Sequence, residues 1–300
     1  MVSFRRRKSD PRRDGKPADP ARSAAALPAS GVYALMGATG GVGTTTAACA
    51  LAVELARREM ESRPGLGTHL TEPRACLIDL DFEAGACAHH LDLLPTLSHE
   101  DLARPSSQMD PTFVSSMIDQ SVGGVTLISA ANGGTGTPNP RTVLALLDAA
   151  SQLFDHVVVD LPRTLQPWSL AVLAGADAAM ILTEMTVPSL HMARLRRAQL
   201  GPALQGSGGK SLLTVLAKLE RRGGRGALQK GDVATALGEP AFAHLPFDPD
   251  PLREVINSGE PLALSNPDCR YMRDLRGLTE RVFAYMEDTQ AATEAERAAA

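Results

Sequence analysis

The sequence predicts an α/β fold: a doubly wound, mostly parallel sheet with helices on both faces, in a single domain. Short apolar runs alternate with helical stretches from Val32 onwards, which is the order expected of parallel strands joined by crossover helices. Several runs, such as residues 157–159, are continuously apolar, as is typical of central strands covered on both faces. A chain of 300 residues is long enough to bury one core of this kind.

The predicted elements follow in order along the chain. Each short apolar run is assigned to a strand: 32–36, 75–80, 125–129, 156–160, 178–183, 211–216 and 241–245. The stretches between the runs have the composition and periodicity of helices: 44–59, 84–93, 111–120, 141–153, 167–174, 188–204, 227–237 and 250–258, with a last helix over 268–287. This alternation places the folded domain at residues 31–288.

Both ends of the chain differ from the domain in composition. Residues 1–30 hold eight Arg or Lys and three Asp, with almost no large apolar side chain, which predicts a disordered basic tail. This tail is either simply solvated or a contact for anionic lipid or an acidic partner surface. Residues 289–300 are polar and rich in alanine, and we expect a flexible C-terminal tail there.

Charge and hydropathy narrow the class of protein. The formal net charge is −4, so the overall charge of the protein does not favour binding to nucleic acid. We expect no sequence-specific nucleic-acid partner. No apolar run approaches the ~20 residues of a membrane helix, and no signal-peptide core follows the basic start. The four cysteines lack framework spacing, as is usual for free thiols in a reducing compartment. These features predict a cytoplasmic protein.

A glycine-rich turn, G-A-T-G-G-V-G-T-T-T at residues 37–46, joins the first strand to the first helix. Backbone amides and a helix N-terminus meet there, which predicts a phosphate site. One interpretation is a dinucleotide turn, which needs a ribose-binding residue about 20 residues further on. The second strand ends nearly twice that far away. The other interpretation is a Walker-type loop, and the downstream spacing favours it.

Carboxylates follow two of the predicted strands. Asp79 and Asp81 come at the end of the second strand, and Asp160 ends the apolar run 157–159. Ligands of such sheets bind at the carboxyl ends of the strands, where a carboxylate can hold magnesium or its water opposite the phosphates. Cys87 and His90 have donor atoms but no zinc spacing, so we expect them to pack within a helix.

Residues 39–46 resemble the deviant Walker A motif K-G-G-V-G-K-T-T of the MinD/ParA superfamily of P-loop ATPases. Within it, the chain is most similar to the Tad/Flp pilus assembly branch, CpaE and TadZ, over residues 31–287. The likeness rests chiefly on D-L-D-F-E-A-G at 79–85, D-H-V-V-V-D-L-P at 155–162, L-P-F-D at 245–248 and L-R-E-V-I-N-S-G-E-P-L at 252–262. Many members of that branch carry a receiver-like N-terminal domain, where this chain has the short basic tail.

The resemblance implies ATP and Mg²⁺ as cofactors and assigns roles by position. The implied nucleotide-binding residues are Gly40, Gly41, Val42, Gly43, Thr44, Thr45, Thr46, Pro246, Phe247 and Asp248. The implied magnesium ligands are Thr45, Asp81 and Asp160, which hold the ion together with the nucleotide. If the chain hydrolyses ATP, the implied catalytic residues are Asp79 and Asp81.

The chain departs from the motif at both lysines. Thr44 stands at the phosphate-binding lysine, and Thr39 stands at the signature lysine that reaches across a dimer. Threonine cannot neutralise charge on a transferred phosphoryl group, and loss of such a contact costs on the order of 10²–10³ in rate. The departures therefore predict weak or absent hydrolysis.

Ala217 stands where an adenine-contacting Asn is common in the resembled family. Arg163, close to Asp160, is either a cation aimed at the phosphates or an exposed arginine after a strand.

The resemblance implies a homodimer, either nucleotide-dependent or constitutive, that acts as a switch, scaffold or pseudo-ATPase. It would serve as a localisation or assembly factor for the pilus and secretion machinery, with a peripheral contact at the inner membrane or the cell pole. One alternative is an active ParA/MinD-type ATPase in chromosome or plasmid partitioning or in septum positioning. The other, from a different class, is an NAD(P)-binding oxidoreductase that uses the glycine turn.

Overall fold

The computed structural model describes residues 30–62, 75–130, 138–206, 210–220 and 228–299. Its strands are β1 (Gly31–Gly37), β2 (Ala75–Asp79), β3 (Val125–Ser129), β4 (His156–Leu161), β5 (Ala178–Glu184), β6 (Leu212–Leu219) and β7 (Ala243–Pro246). They form one seven-stranded sheet in the order β3-β2-β4-β1-β5-β6-β7, and each neighbouring pair is parallel. The predicted doubly wound α/β fold is thereby confirmed.

Helices cover both faces of the sheet. They are α1 (Thr44–Ser62), α2 (Cys87–Leu91), α3 (His99–Ala103), α4 (Pro111–Ser116), α5 (Pro140–Leu153), α6 (Ser169–Gly175), α7 (Val187–Gln205), α8 (Lys230–Leu237), α9 (Pro249–Ser258), α10 (Leu262–Ser265) and α11 (Arg270–Ala299). Buried residues of α1, α2 and α9–α11 belong to one hydrophobic core. Those of α3–α8 belong to the core on the opposite face.

Side chains of β1 alternate between these two cores. Tyr33 and Leu35 belong to the core under α1, whereas Val32, Ala34 and Met36 belong to the core under α5 and α6. Successive side chains of a strand point to opposite faces, so a strand covered on both sides has to be apolar throughout. This requirement explains the continuous apolar runs in the sequence.

The position of β4 decides between the two interpretations of the glycine turn. β4 lies between β2 and β1, pairing with both, whereas β1 and β2 are neighbours in the classic dinucleotide-binding order. The observed order therefore argues against the dinucleotide turn. It also sets the carboxyl ends of β1, β4 and β2 side by side, which brings the glycine turn and the predicted carboxylates to the same edge of the sheet.

The helix bounds differ from the prediction at several points. The segment predicted at 84–93 is helical only over Cys87–Leu91, because Asp92 adopts a left-handed conformation with φ 47° and ends the helix. The last helix continues through Ala299, where we expected an end near 287 and a flexible tail. Its final residues are rich in Ala and Glu, which have high helix propensity.

None of the described helices is long and apolar enough to cross a membrane. The predicted basic tail lies outside the described residues, except for residue 30.

Candidate nucleotide-binding site

The glycine-rich loop between β1 and α1 is open to solvent at its tip. Gly41 and Gly43 have φ angles of +72° and +96°, and a Cβ on either would meet nothing within 4 Å. Positive φ is the reason that glycine is needed at these two positions. α1 begins at Thr44 and has no acidic residue in its first turn, so no carboxylate of its own neutralises the positive end of the helix. The loop therefore fits an anion.

Two carboxylates adjoin the loop. Asp79 and Asp160 are cross-strand partners at the ends of β2 and β4, and their residues are 3% and 2% exposed. The Thr45 hydroxyl, in the first turn of α1, donates a hydrogen bond to Asp160 Oδ2 at 2.7 Å. Oxygen atoms of this kind are the ligands that Mg²⁺ prefers. The predicted proximity of the loop to Asp160 is therefore present in the structure.

Backbone amides hold Asp79 in place. Its Oδ1 accepts a hydrogen bond from the N–H of Asp81 at 3.0 Å, and its Oδ2 accepts one from the N–H of Cys87 at 3.1 Å. Gly85 passes so close that a Cβ there would lie 2.5 Å from Asp79 Oδ2 and 2.6 Å from the Asp81 carbonyl oxygen. The turn between β2 and α2 thus needs a glycine in order to close around the carboxylate.

The buried carboxylates have raised proton affinities. Burial, together with the charge of Asp79, raises the pKa of Asp160 to about 7. Burial also raises the pKa of Asp79, against its two backbone hydrogen bonds. Oxygen atoms of the two carboxylates lie within 4.8 Å of each other, so that each disfavours the ionised form of the other. Because Thr44 replaces the lysine of the resembled motif, the loop has no cation of its own to offset these charges.

Cys87 lies with the two carboxylates. One ligand atom from each of Asp79, Cys87 and Asp160 lies within 4.8 Å of the others, and the Cys87 thiol is 3.6 Å from Asp160 Oδ2. Asp81, a predicted magnesium ligand, is not in this group, and its Oδ1 accepts the N–H of Ala84 at 3.0 Å. Sequence reasoning assigned Cys87 to helix packing, since its separation from Asp79 matches no metal-binding pattern.

Hydroxyl contacts surround the threonines of the loop. Thr39 Oγ1 lies 3.1 Å from Ser189 Oγ, and that oxygen also lies 2.9 Å from Thr183 Oγ1. Thr46 Oγ1 lies 3.3 Å from Nε2 of His90. These are contacts between neutral polar groups, since burial lowers the pKa of His90. Ser189 and His90 were absent from the predicted site, because each reaches the loop from a distant part of the sequence.

The predicted adenine-binding segment lies at the end of β7. Phe247 is 45% exposed there, whereas the Asp248 carboxylate accepts a hydrogen bond from the backbone N–H of Tyr271 at 3.2 Å, near the start of α11. Lys218, near the end of the neighbouring β6, has a left-handed φ of 52°. Its Nζ lies 2.9 Å from a carboxylate oxygen of Glu184, so that its charge is already paired.

Arg163 lies against the glycine loop. Its Nη1 is 3.1 Å from the position that a Cβ on Gly40 would occupy. The residue also lines a cleft of about 390 Å³, together with Asp81, Phe82 and Trp168. Arg163 is exposed and follows β4, as the second interpretation expects, and its guanidinium group lies beside the loop, so that both interpretations of this arginine remain open.

The fold can be compared with solved structures. No protein-family model matches the sequence, and a comparison with curated proteins gave no match. A ParA family ATPase from Chlorobium tepidum TLS matches with a TM-score of 0.67 and 18% identity, covering 83% of this chain and 97% of that one. A chain of the MinC:MinD cell division protein complex of Aquifex aeolicus matches with a TM-score of 0.63 and 18% identity, covering 85% and 96%.

A third match is the septum site-determining protein MinD of Pyrococcus horikoshii OT3, solved with Mg-ADP. Its TM-score is 0.60 at 17% identity, covering 84% of this chain and 96% of that one. Each likeness spans nearly the whole of the compared protein, and at these identities it concerns the fold. The chain has the fold of the ParA and MinD ATPases.

Proposed function

We propose that this chain is an ATP-binding switch of the MinD/ParA type with weak or no hydrolysis, which works as a homodimer in pilus assembly. The observation that carries the nucleotide-binding part is the hydrogen bond between Thr45 and Asp160. It joins the first turn of the helix after a phosphate-type loop to a buried carboxylate at the end of the neighbouring strand. P-loop proteins use this pair of positions to hold Mg²⁺ beside the nucleotide phosphates.

The residues of the site fit this assignment. The loop amides and the N-terminus of α1 would bind the phosphates. The hydroxyl of Thr45 and the carboxylate of Asp160 would hold Mg²⁺, and Asp79 would orient its water. When bound, the ion would neutralise phosphate charge and the charges of Asp79 and Asp160. Mg-ADP in the P. horikoshii MinD structure supports this choice of ligand.

Weak turnover follows from the two threonines. Thr39 and Thr44 occupy the positions of the lysines that neutralise charge on the transferred phosphoryl group. Thr39 instead contacts Ser189 through hydroxyl groups. A site with bound nucleotide but without these cations favours a long-lived bound state, which suits a switch or scaffold better than a fast enzyme.

The pilus role rests on the resemblance of the Asp79, Asp160 and Pro246 segments to the CpaE and TadZ branch. On this proposal the protein is cytoplasmic, its partners are a second copy of the chain and the pilus secretion machinery, and it lies at the inner face of the membrane or at the cell pole. Deletion of the gene in the source organism is expected to abolish or mislocalise pili. Normal pili in the deletion strain would contradict this role.

Nucleotide binding is tested by titrating the chain with a fluorescent ATP analogue, with and without Mg²⁺. We expect saturable binding that Mg²⁺ strengthens, and a weaker Mg²⁺ effect in a Thr45→Ala variant.

Sedimentation velocity with and without ATP tests whether the chain forms a homodimer. In the nucleotide titration, absence of binding both with and without Mg²⁺ would leave a scaffold without a nucleotide.

An active ParA/MinD-type ATPase in partitioning or septum positioning is the second candidate. It is favoured by the carboxylates, since Asp79 and Asp160 are partners at the ends of β2 and β4 and lie beside the loop through the contact of Asp160 with Thr45. Phosphate release separates the two proposals. Turnover well above that of the Thr45→Ala variant would favour the active enzyme, and turnover equal to it would favour the switch.

A further inference from the structure

We propose that Arg163 supplies the positive charge that the glycine loop lacks, and that it recognises the terminal phosphate of a nucleoside triphosphate. This inference rests on the proposed nucleotide-binding function of the same loop. Arg163 follows β4, a short distance after Asp160, and its side chain crosses to the loop between β1 and α1.

The contact between Arg163 and the loop is close. Nη1 lies 3.1 Å from the position of a Cβ on Gly40, and the guanidinium carbon lies 3.8 Å from it. A side chain at position 40 would push the arginine away, so the glycine leaves room for the guanidinium group. Gly40 and Arg163 are both exposed, so the guanidinium charge lies at the solvent side of the loop, within reach of a ligand bound there.

The guanidinium group of Arg163 is uncommitted in the part of the chain that the structure describes: it donates no hydrogen bond there and forms no ion pair. Its backbone is nevertheless fixed, since Nη2 of Arg196 donates to the Arg163 carbonyl oxygen at 3.2 Å. By contrast, the Lys218 ammonium group near the end of β6 is paired with Glu184. Arg163 therefore combines an anchored backbone with a free charge.

The position of Arg163 relative to the metal ligands indicates which phosphate it meets. Thr45 and Asp160 would hold Mg²⁺ next to the terminal phosphates of a bound nucleotide. Arg163 lies in the segment that follows β4, three residues after Asp160, and it lies against Gly40, in the half of the loop before Gly41 and Gly43. Its planar guanidinium is suited to bidentate contact with phosphate oxygens. The charge should therefore act on the triphosphate far more than on the diphosphate.

The test compares ATP and ADP, each with Mg²⁺, by isothermal titration calorimetry on the full chain. Arg163→Ala is expected to weaken ATP binding about tenfold or more, the usual effect of losing a charged hydrogen bond, with a much smaller change for ADP. Arg163→Lys should fall between Arg163→Ala and the wild type. The matched control is Arg194→Ala: Arg194 is an exposed arginine of α7, and its loss should leave both affinities unchanged.

Two results would overturn the inference. One is an Arg163→Ala protein that binds ATP as tightly as the wild type. The other is an equal loss of ATP and ADP affinity, which would remove the link to the terminal phosphate. A wild-type chain that binds neither nucleotide overturns the proposed function and this inference with it, and that result is seen before any variant is compared. Thermal unfolding checks each fold, with Arg163→Gln as the replacement if the alanine variant is unstable.

Discussion

Asp79 and Asp160 face each other as cross-strand partners at the ends of β2 and β4, and both are almost fully buried. No lysine is buried among the described residues, and threonines occupy the positions that lysines hold in the resembled loop motif. Burial raises the pKa values of both carboxyls, and the charge of Asp79 raises that of Asp160 further. The two buried negative charges destabilise the folded protein, and either a proton or a bound cation would offset them. Stability, protonation and metal binding should therefore depend on one another at this pair.

Replacing Asp160 by asparagine should stabilise the protein at alkaline pH. The folded-state pKa of Asp160 is about 7, against an ordinary value of 3.8, so stability falls as the pH rises from about 4 to 7 and stays low above that. Asp160→Asn removes this loss while keeping an oxygen for the Thr45 hydroxyl. We expect a gain in the free energy of unfolding of about 2–4 kcal/mol at pH 8 that shrinks towards pH 4.

Urea unfolding of the wild type and Asp160→Asn at pH 8 and pH 4, without nucleotide or metal, measures this gain. A gain of equal size at both pH values would show that Asp160 is not responsible for the pH dependence. A loss of stability at pH 8 would show that the Asp160 carboxylate is compensated by a group other than those that surround it in the structure.

Magnesium should strengthen ATP binding more at pH 8 than at pH 6. With a pKa of about 7, Asp160 is mostly protonated at pH 6, and a metal ion has to displace that proton before it can be held. The ratio of ATP affinities with and without Mg²⁺, measured by fluorescence titration, should therefore rise between these pH values. In Asp160→Asn the ratio of ATP affinities with and without Mg²⁺ should be small. Its pH dependence should not exceed that of Mg²⁺ binding to free ATP in the same buffer.

The sequence could predict the strands and the loop because their signals are local. Continuous apolar runs marked the buried strands, and the glycines of 37–46 marked a turn that needs positive φ at Gly41 and Gly43. Asp160 could be placed because it ends an apolar strand. Cys87, His90 and Ser189 could not be placed, since each reaches the site through the packing of α2 or α7 rather than through a sequence pattern.

The helix ends were less predictable for a related reason. Asp92 ends α2 in a left-handed conformation, and because it is not a glycine, the sequence gives no sign of this end. Gly259, which is distant in sequence, packs against it, and a Cβ on Gly259 would lie 2.6 Å from Asp92 Cβ. Contacts between distant segments decide such boundaries. The paired charge of Lys218 likewise depends on the register of β5 and β6, in which Glu184 is beside Ala217.

Gly85→Ala should damage the site as well as the stability of the fold. The added methyl would lie 2.5 Å from Asp79 Oδ2 and 2.6 Å from a backbone oxygen of Asp81, so the turn that carries Asp79 has to shift. We expect a loss of about 1–3 kcal/mol, as is usual for overpacking, together with weaker Mg²⁺-dependent ATP binding. Thermal unfolding and nucleotide titration measure the two effects.

Gly277→Ala is the control for Gly85→Ala. Gly277 lies within α11, where an added Cβ meets nothing within 4 Å, so alanine should stabilise the helix by about 0.5–1 kcal/mol and leave binding unchanged. If the two variants behave alike, the closeness of Gly85 to Asp79 has no consequence for the site.

Placing a lysine at position 44 of the loop should raise both ATP affinity and ATP turnover. Thr44 begins α1, next to the proposed phosphate site, and Thr44→Lys would place an ammonium group opposite the buried carboxylates. We expect ATP affinity to rise by about tenfold and phosphate release to rise above the wild-type rate, because charge on the transferred group is now neutralised. Thr44→Met, similar in length but uncharged, separates charge from side-chain size. Calorimetry and a phosphate-release assay on the three proteins decide the matter. Equal behaviour of the lysine and methionine variants would show that the missing charge does not limit this site.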